Sequence, residues 1–142
     1  ITQSESQPNT WFRKNLSLFL IAIYIHPKSN DLDFLHLFVE LLSSKNLSIN
    51  TNNVLLIGDF NLDTLSKTKT TNSYSSILNR HKFTNLIKTA TRITPASQTL
   101  IDHALVKSAF TKQCVIEKNY LEITDHQPII IFLKIPLKAQ SN

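Results

Sequence analysis

The chain alternates between short apolar runs and polar stretches, and the period of each run predicts an element. Residues 16–25, LSLFLIAIYI, are continuously apolar and rich in Ile and Leu. That is the pattern of a central strand in a sheet covered on both faces. Pro27 ends it, and Ser29 or Asn30 can cap a helix after it. Leu32, Leu35, Phe38, Val39 and Leu42 recur at helical spacing, with Asp31 and Asp33 in the first turn and Lys45 in the last, which predicts a helix over about 31–45. A polar linker, 46–53, leads to a short buried strand at 54–57 and then a turn. Residues 64–72, TLSKTKTTN, read as a polar loop, and 73–81 as a short helix carried by Tyr74, Ile77 and Leu78. The stretch 83–87 fits a helix or a strand equally. Residues 99–106, 113–117 and 128–135 read as strands. Strand, helix, strand, helix and three more strands predict a mixed α/β sandwich. Residues 1–15 are polar apart from Trp11 and Phe12 and read as a tail, as do residues 137–142.

Composition narrows the class. Hydrophobic residues make up 42% of the 142 and charged residues 18%, enough for a core and not the composition of a disordered chain. The chain begins at Ile1 and contains no methionine, so we expect a piece of a longer reading frame. Cys114 stands alone, which excludes an internal disulfide and a cysteine zinc cluster. Beside Val115 and Ile116 it reads as a small buried hydrophobe, and the absence of disulfides fits a reducing compartment. The two longest apolar runs fall short of the roughly 20 residues that cross a membrane. Neither has the flanks of a signal peptide. Glycine occurs once, at Gly58, which predicts a tight turn or a close backbone approach there.

Charge adds a candidate partner. The net charge is +5. Lys67, Lys69, Arg80, Lys82, Lys88 and Arg92 lie between Asp63 and Asp102 with no acidic residue among them. Such a stretch suits a polyanion or a solvated lysine-rich surface, and charge alone does not choose between them.

Three acidic clusters adjoin apolar strands: Gly58-Asp59-Phe60-Asn61, Asp102-His103, and Thr124-Asp125-His126. Carboxylates beside a core are costly unless paired or bound to a metal. Hydrolysis of a phosphodiester needs an aligned and deprotonated water, stabilised phosphoryl oxygens and hard oxygen ligands for a divalent ion. An Asp and an Asn two residues apart could orient the water, and a His held by a second carboxylate could donate to the phosphate. Each cluster alone is also a common structural feature; their combination is what points to chemistry. His103 neighbours Asp102 on a strand, so it faces the opposite side and reads as packing. His26, His36 and His81 read as ordinary.

Taken together, IAIYIHP, VLLIGDFNLD, RITPASQTLIDHALV and ITDHQPIIIFL resemble the endonuclease/exonuclease/phosphatase superfamily, in its non-LTR (LINE-like) retrotransposon branch. The resemblance covers about residues 16–135. It implies a four-layered α/β sandwich, two mixed sheets flanked by helices, with residues 16–136 as the C-terminal portion of that domain and its first strands missing. It implies that Asp59 orients and deprotonates the attacking water, that Asn61 helps hold water and phosphate, and that His126 contacts a phosphate oxygen with Asp102 orienting it. Asp125, with Asp59, would lie at the metal, Mg2+ or alternatively Mn2+. Tyr24, Thr91 and Thr124 would line the phosphate site. The implied partner is DNA, acted on by a monomer inside the cell, in nucleus or cytoplasm, with a reverse transcriptase domain in the parent protein.

Some positions depart from the family pattern. Thr124 replaces a usual serine and keeps its hydroxyl, Ile25 and His26 replace an arginine and paired prolines, and Ala90 stands where proline is common. The family's upstream Asn and metal-binding Glu have no counterpart; Glu5 lies in the polar tail and is not assigned that role. A chain lacking those strands should be weakly active, marginally stable or poorly soluble by itself. Two further functions stay open: a non-catalytic nucleic-acid binder or decayed relic of the domain, and a phosphatase or lipid phosphodiesterase of the same fold. The basic stretch and the IDHA segment argue against the second.

Overall fold

The computed structural model describes residues 18–44, 53–107, 111, 114–118 and 124–134. Both expected tails, Lys45 and nearly all of the 46–53 linker lie outside the described residues. The elements are β1 (Phe19–Tyr24), α1 (Asp31–Ser43), β2 (Val54–Asp59), α2 (Lys69–Arg80), β3 (Phe83–Asn85), β4 (Arg92–Ile93), β5 (Gln98–Thr99), β6 (Asp102–Lys107), β7 (Cys114–Lys118) and β8 (Ile129–Leu133). Four of them form a mixed sheet in the order β1-β2-β6-β3, with β1 and β2 parallel and the other neighbours antiparallel. The pairs β4-β5 and β7-β8 form separate antiparallel ladders.

Alternation along β2 and β6 sorts the core into two faces. Val54, Leu56 and Leu105 join Phe38 and Leu42 of α1, Tyr74 and Leu78 of α2, and Phe60. Leu55, Val106, Ala104 and Ile57 face the other way, against Cys114, Ile129, Ile131 and Leu133 of the β7-β8 ladder. The result is three layers: helices, the main sheet, and a second sheet. Cys114 is half-buried, as its apolar neighbours implied, and burial pushes its thiol up.

Local chemistry explains the helix boundaries. The Asn30 side chain accepts from the Leu32 and Asp33 backbone amides, the expected cap. α1 ends at Ser43, before Lys45. α2 starts four residues earlier than its apolar spacing predicts. Thr68 and Thr71 form a reciprocal capping box, so a threonine-rich stretch that reads as loop becomes the first helical turn. β3 settles the ambiguous 83–87 stretch as extended at its start. The expected strand 99–106 breaks at residues 100–101 into β5 and β6.

Two differences concern β1 and Gly58. The apolar run of β1 predicts a place at the sheet centre; among the described residues β1 stands at one end of the strand order. Ile21 and Ile23 pack on the helix-side core, while Leu20 is 58% exposed on the opposite face. Gly58 lies within β2 rather than in a turn, at φ 151°. A Cβ built there would stand 1.7 Å from the Ile23 carbonyl oxygen, so the requirement is close backbone approach.

His103 is buried on the helix side. It stacks on Phe60 with ring centroids 4.7 Å apart. Its Nε2 lies 3.1 Å from the Leu62 carbonyl and 3.2 Å from the Leu100 carbonyl, and its Nδ1 lies 2.9 Å from the Tyr74 hydroxyl. Two carbonyl acceptors assign the proton to Nε2, so Tyr74 donates to Nδ1. Burial outweighs the pull of the Leu100 and Leu62 carbonyls, Asp102 and Asp59, and holds this imidazole below its ordinary value of 6.5.

This packing can be tested at both residues. Gly58→Ala should destabilise the chain by at least about 3 kcal/mol, combining overpacking with backbone strain, read as a lower denaturant midpoint; an unchanged midpoint contradicts the close approach. His103 protonates more readily in the unfolded chain, so its contribution to stability is complete above pH 6.5 and is lost as pH falls below it. Denaturant midpoints should drop between pH 6.5 and 5, by at most about 1.4 kcal/mol per pH unit from this group, and His103→Gln should flatten that slope.

Candidate active site at the carboxylate end of the sheet

The site forms where β1 and β2 end and β6 begins. Tyr24 pairs in register with Asp59, and Asp59 with Asp102. All three therefore project from one sheet face in a row across neighbouring strands. Side by side on adjacent strands, two carboxylates repel each other unless a positive group offsets them.

His126 enters from the segment before β8 and brings an N–H donor to Asp102. Its Nδ1 lies 3.0 Å from Asp102 Oδ2. A carboxylate only accepts, so Nδ1 carries the proton and Nε2 is left for another partner. One ligand atom from each of Asp59, Asp102 and His126 lies within 4.8 Å of the others, and all three residues are half-buried.

Asn61 ties the turn after β2 to the end of β1. It adopts φ 46°, a left-handed conformation that asparagine tolerates. Its backbone N–H donates to Asp59 Oδ1 at 2.9 Å, and its side-chain amide donates to the Ile25 carbonyl at 2.6 Å. Asp59 and Asn61 are thus fixed relative to each other and to the strand that carries Tyr24, whose ring is 70% exposed.

Thr91 is fully buried, and its hydroxyl oxygen accepts from the backbone amides of Ile101 (3.2 Å) and Asp102 (3.0 Å). Its own amide donates to the Thr99 carbonyl, and its carbonyl accepts from Gln127 at 2.7 Å. One residue therefore joins the start of β6, the β4-β5 ladder and the segment bearing His126.

Asp125 pairs with Arg92. Arg92 Nε donates to its Oδ2 at 2.6 Å, and that hydrogen bond, with the arginine's charge, holds the carboxyl below its usual range. The Ile93 amide donates to the Asp125 carbonyl at 2.7 Å, and Arg92 pairs with His126 as an isolated β-bridge. Asp125 is thereby committed to Arg92 and stands outside the Asp59–Asp102–His126 group. Thr124 is exposed, and its hydroxyl accepts from the His126 amide at 3.3 Å.

Sequence reasoning passed over two residues. Arg92 zips β4 to the His126 segment. Asp63 accepts from the Leu100 amide at 2.9 Å and from the Ser66 hydroxyl at 2.7 Å. Partial burial raises its carboxyl, but hydrogen bonds from Leu100, Ser66 and Leu65 together hold it below the usual value. Its position two residues beyond Asn61 was the available signal.

The donor set suits a hard divalent cation. Asp59 and Asp102 offer carboxylate oxygens of the kind that both magnesium and manganese take.

A mixed α/β sheet thus carries the Asp59–Asp102–His126 group at one end. The model of the family described as endonuclease-reverse transcriptase matches residues 18–130. The chain belongs to that family. Among solved structures, the endonuclease domain of TRAS1, a telomere-specific non-LTR retrotransposon, superposes with a TM-score of 0.64 at 11% identity, over 78% of this chain. The chain spans about half, 53%, of the length of that domain. No curated protein matches.

Thr91→Val keeps the shape and leaves two buried backbone amides without an acceptor. It should cost about 1–3 kcal/mol, read by urea unfolding. A loss below about 0.5 kcal/mol would show that the hydroxyl does not hold the strands together.

Proposed function

We propose that this chain is the nuclease module of a retrotransposon-type protein and hydrolyses a phosphodiester bond in DNA, leaving a nick. The observation that carries this reading is the meeting of Asp59, Asp102 and His126 within 4.8 Å, from three separate segments of a chain in the endonuclease-reverse transcriptase family. Asp59, fixed by the Asn61 amide, orients a water and takes its proton. Asp102 holds His126 with its proton on Nδ1, so that Nε2 faces a phosphoryl oxygen and donates to it when the ring is protonated. Asn61 keeps its amide oxygen for that water, and Tyr24, exposed at the end of the row, supplies a hydroxyl to the phosphate. Asp59 and Asp102 would hold the divalent ion, Mg2+ or Mn2+, which when bound stabilises charge on the phosphoryl oxygens. Thr91 and the Arg92–Asp125 pair act one step back, by holding Asp102 and His126 in register. In the parent protein a reverse transcriptase domain would use the end that nicking exposes.

The test is supercoiled-plasmid nicking in magnesium, on this chain and on the full reading frame that contains it. Asp59→Ala and His126→Ala should each lower the rate by about 10^2-fold to 10^4-fold, and EDTA should abolish it. Nicking that survives both substitutions would refute the assignment. A folded full-length protein that never nicks would favour the nucleic-acid-binding or relic reading, and release of phosphate from inositol phosphates without action on DNA would favour the phosphatase reading.

A further inference from the structure

A second feature lies on the outer face of α2. Lys69, Asn72, Ser73, Ser76 and Arg80 recur along one side of that helix and, with Lys67, line a groove of about 620 Å³. The helix's opposite side, with Thr71, Tyr74 and Leu78, is buried. Packing therefore accounts for one face and leaves the basic one unexplained. None of Lys67, Lys69 and Arg80 makes an ion pair among the described residues. Two acids approach the ends of these residues without pairing with the cations: Asp31 accepts from the Thr70 hydroxyl at 2.9 Å and Asp63 from the Ser66 hydroxyl at 2.7 Å, and neither Thr70 nor Ser66 lines the groove. Beyond Arg80, His81 is held below its ordinary value by burial and by the charges of Arg80 and Lys107, which fits a local excess of positive charge.

The spacing of these groups identifies the partner chemistry. From Lys69 to Arg80 the helix advances about 16 Å at 1.5 Å per residue. Charges spread that far suit a regular polyanion better than one small anion, and a DNA strand advances about 3.4 Å per phosphate. Hydroxyl and amide groups between the cations match phosphate oxygens, the contacts that position a duplex without reading sequence. Among the described residues no aromatic ring lines the groove, so they offer no stacking platform of the kind single strands favour. The loop that leads into the groove is tied to the strand that carries Asp102. Asp63 receives the Leu100 amide and the Ser66 hydroxyl, and Thr64 donates to the Leu100 carbonyl, fixing the loop before Lys67 to the segment that enters Asp102.

We propose that this groove binds the phosphate backbone of duplex DNA on the flank of the scissile bond. The proposal rests on the DNA-nuclease reading above but assigns a separate surface. Lys67, Lys69 and Arg80 neutralise phosphates, and specificity resides elsewhere.

The experiment is fluorescence anisotropy of a labelled DNA duplex with the full chain in EDTA, so that binding is read without turnover. Lys67→Glu/Arg80→Glu should weaken binding at least about tenfold at 0.1 M salt and lower the slope of log affinity against log salt by roughly two, about 0.9 per lost phosphate contact. Lys67→Gln/Arg80→Gln should fall between it and the unaltered chain, and circular dichroism of this milder pair checks folding. Lys28→Glu/Lys134→Glu, with the same net charge change, should weaken binding less than about threefold. Equal losses in the two Glu pairs would reduce the effect to net charge and overturn the proposal, as would no loss in the groove pair. Tighter binding of single-stranded RNA than of the duplex would overturn the choice of partner. Binding in EDTA is read without turnover, and nicking in magnesium is read separately, so loss of nicking in Asp59→Ala and loss of binding in the groove pair are distinguishable.

Discussion

Asp59 and Asp102 face each other across a β-ladder, and most of the architecture around them answers that one electrostatic conflict. Two carboxylates on neighbouring strands of a half-buried row do not coexist without compensation. The chain supplies part of it through His126 and through the Asn61 amide on Asp59. The remainder is what a divalent cation would supply under the proposed function.

Holding that row in shape falls to neutral hydrogen bonds rather than to charges. Thr91 gathers three segments with a hydroxyl, an amide and a carbonyl, all away from solvent. On the other side of the sheet, His103 links Tyr74 to the carbonyls of Leu62 and Leu100. The same β6 strand thus presents Asp102 to the site and His103 to the core, and the alternation of the strand keeps chemistry and packing apart. Surface charge among the described residues lies at the edges, as with Arg92 on Asp125 and the cations of α2.

Much of this is legible in the residues, for reasons that differ by element. α1 is readable because its apolar spacing, its asparagine cap and its first-turn acids all agree. β2, β6 and the site residues Asp59, Asp102 and His126 are readable because short apolar runs bracket acidic motifs. Features fixed by partners distant in sequence do not show. The threonines before α2 look like loop until Thr68 and Thr71 cap each other. β4 and β5 have two residues each, too few to carry a period.

The single glycine separates two kinds of constraint. Gly58 is required by the approach of two backbones, and its replacement harms any folded copy of the domain, working or not. His126 is half-buried at the mouth of the site, and its loss leaves the packing of both cores untouched. In a population of diverging copies of this sequence, the two positions would therefore decay on different clocks. Lineages that keep the glycine while shedding the histidine would be retained for shape, and lineages that keep both would be retained for catalysis. A pair of codons thus becomes a molecular record of which property selection has been maintaining.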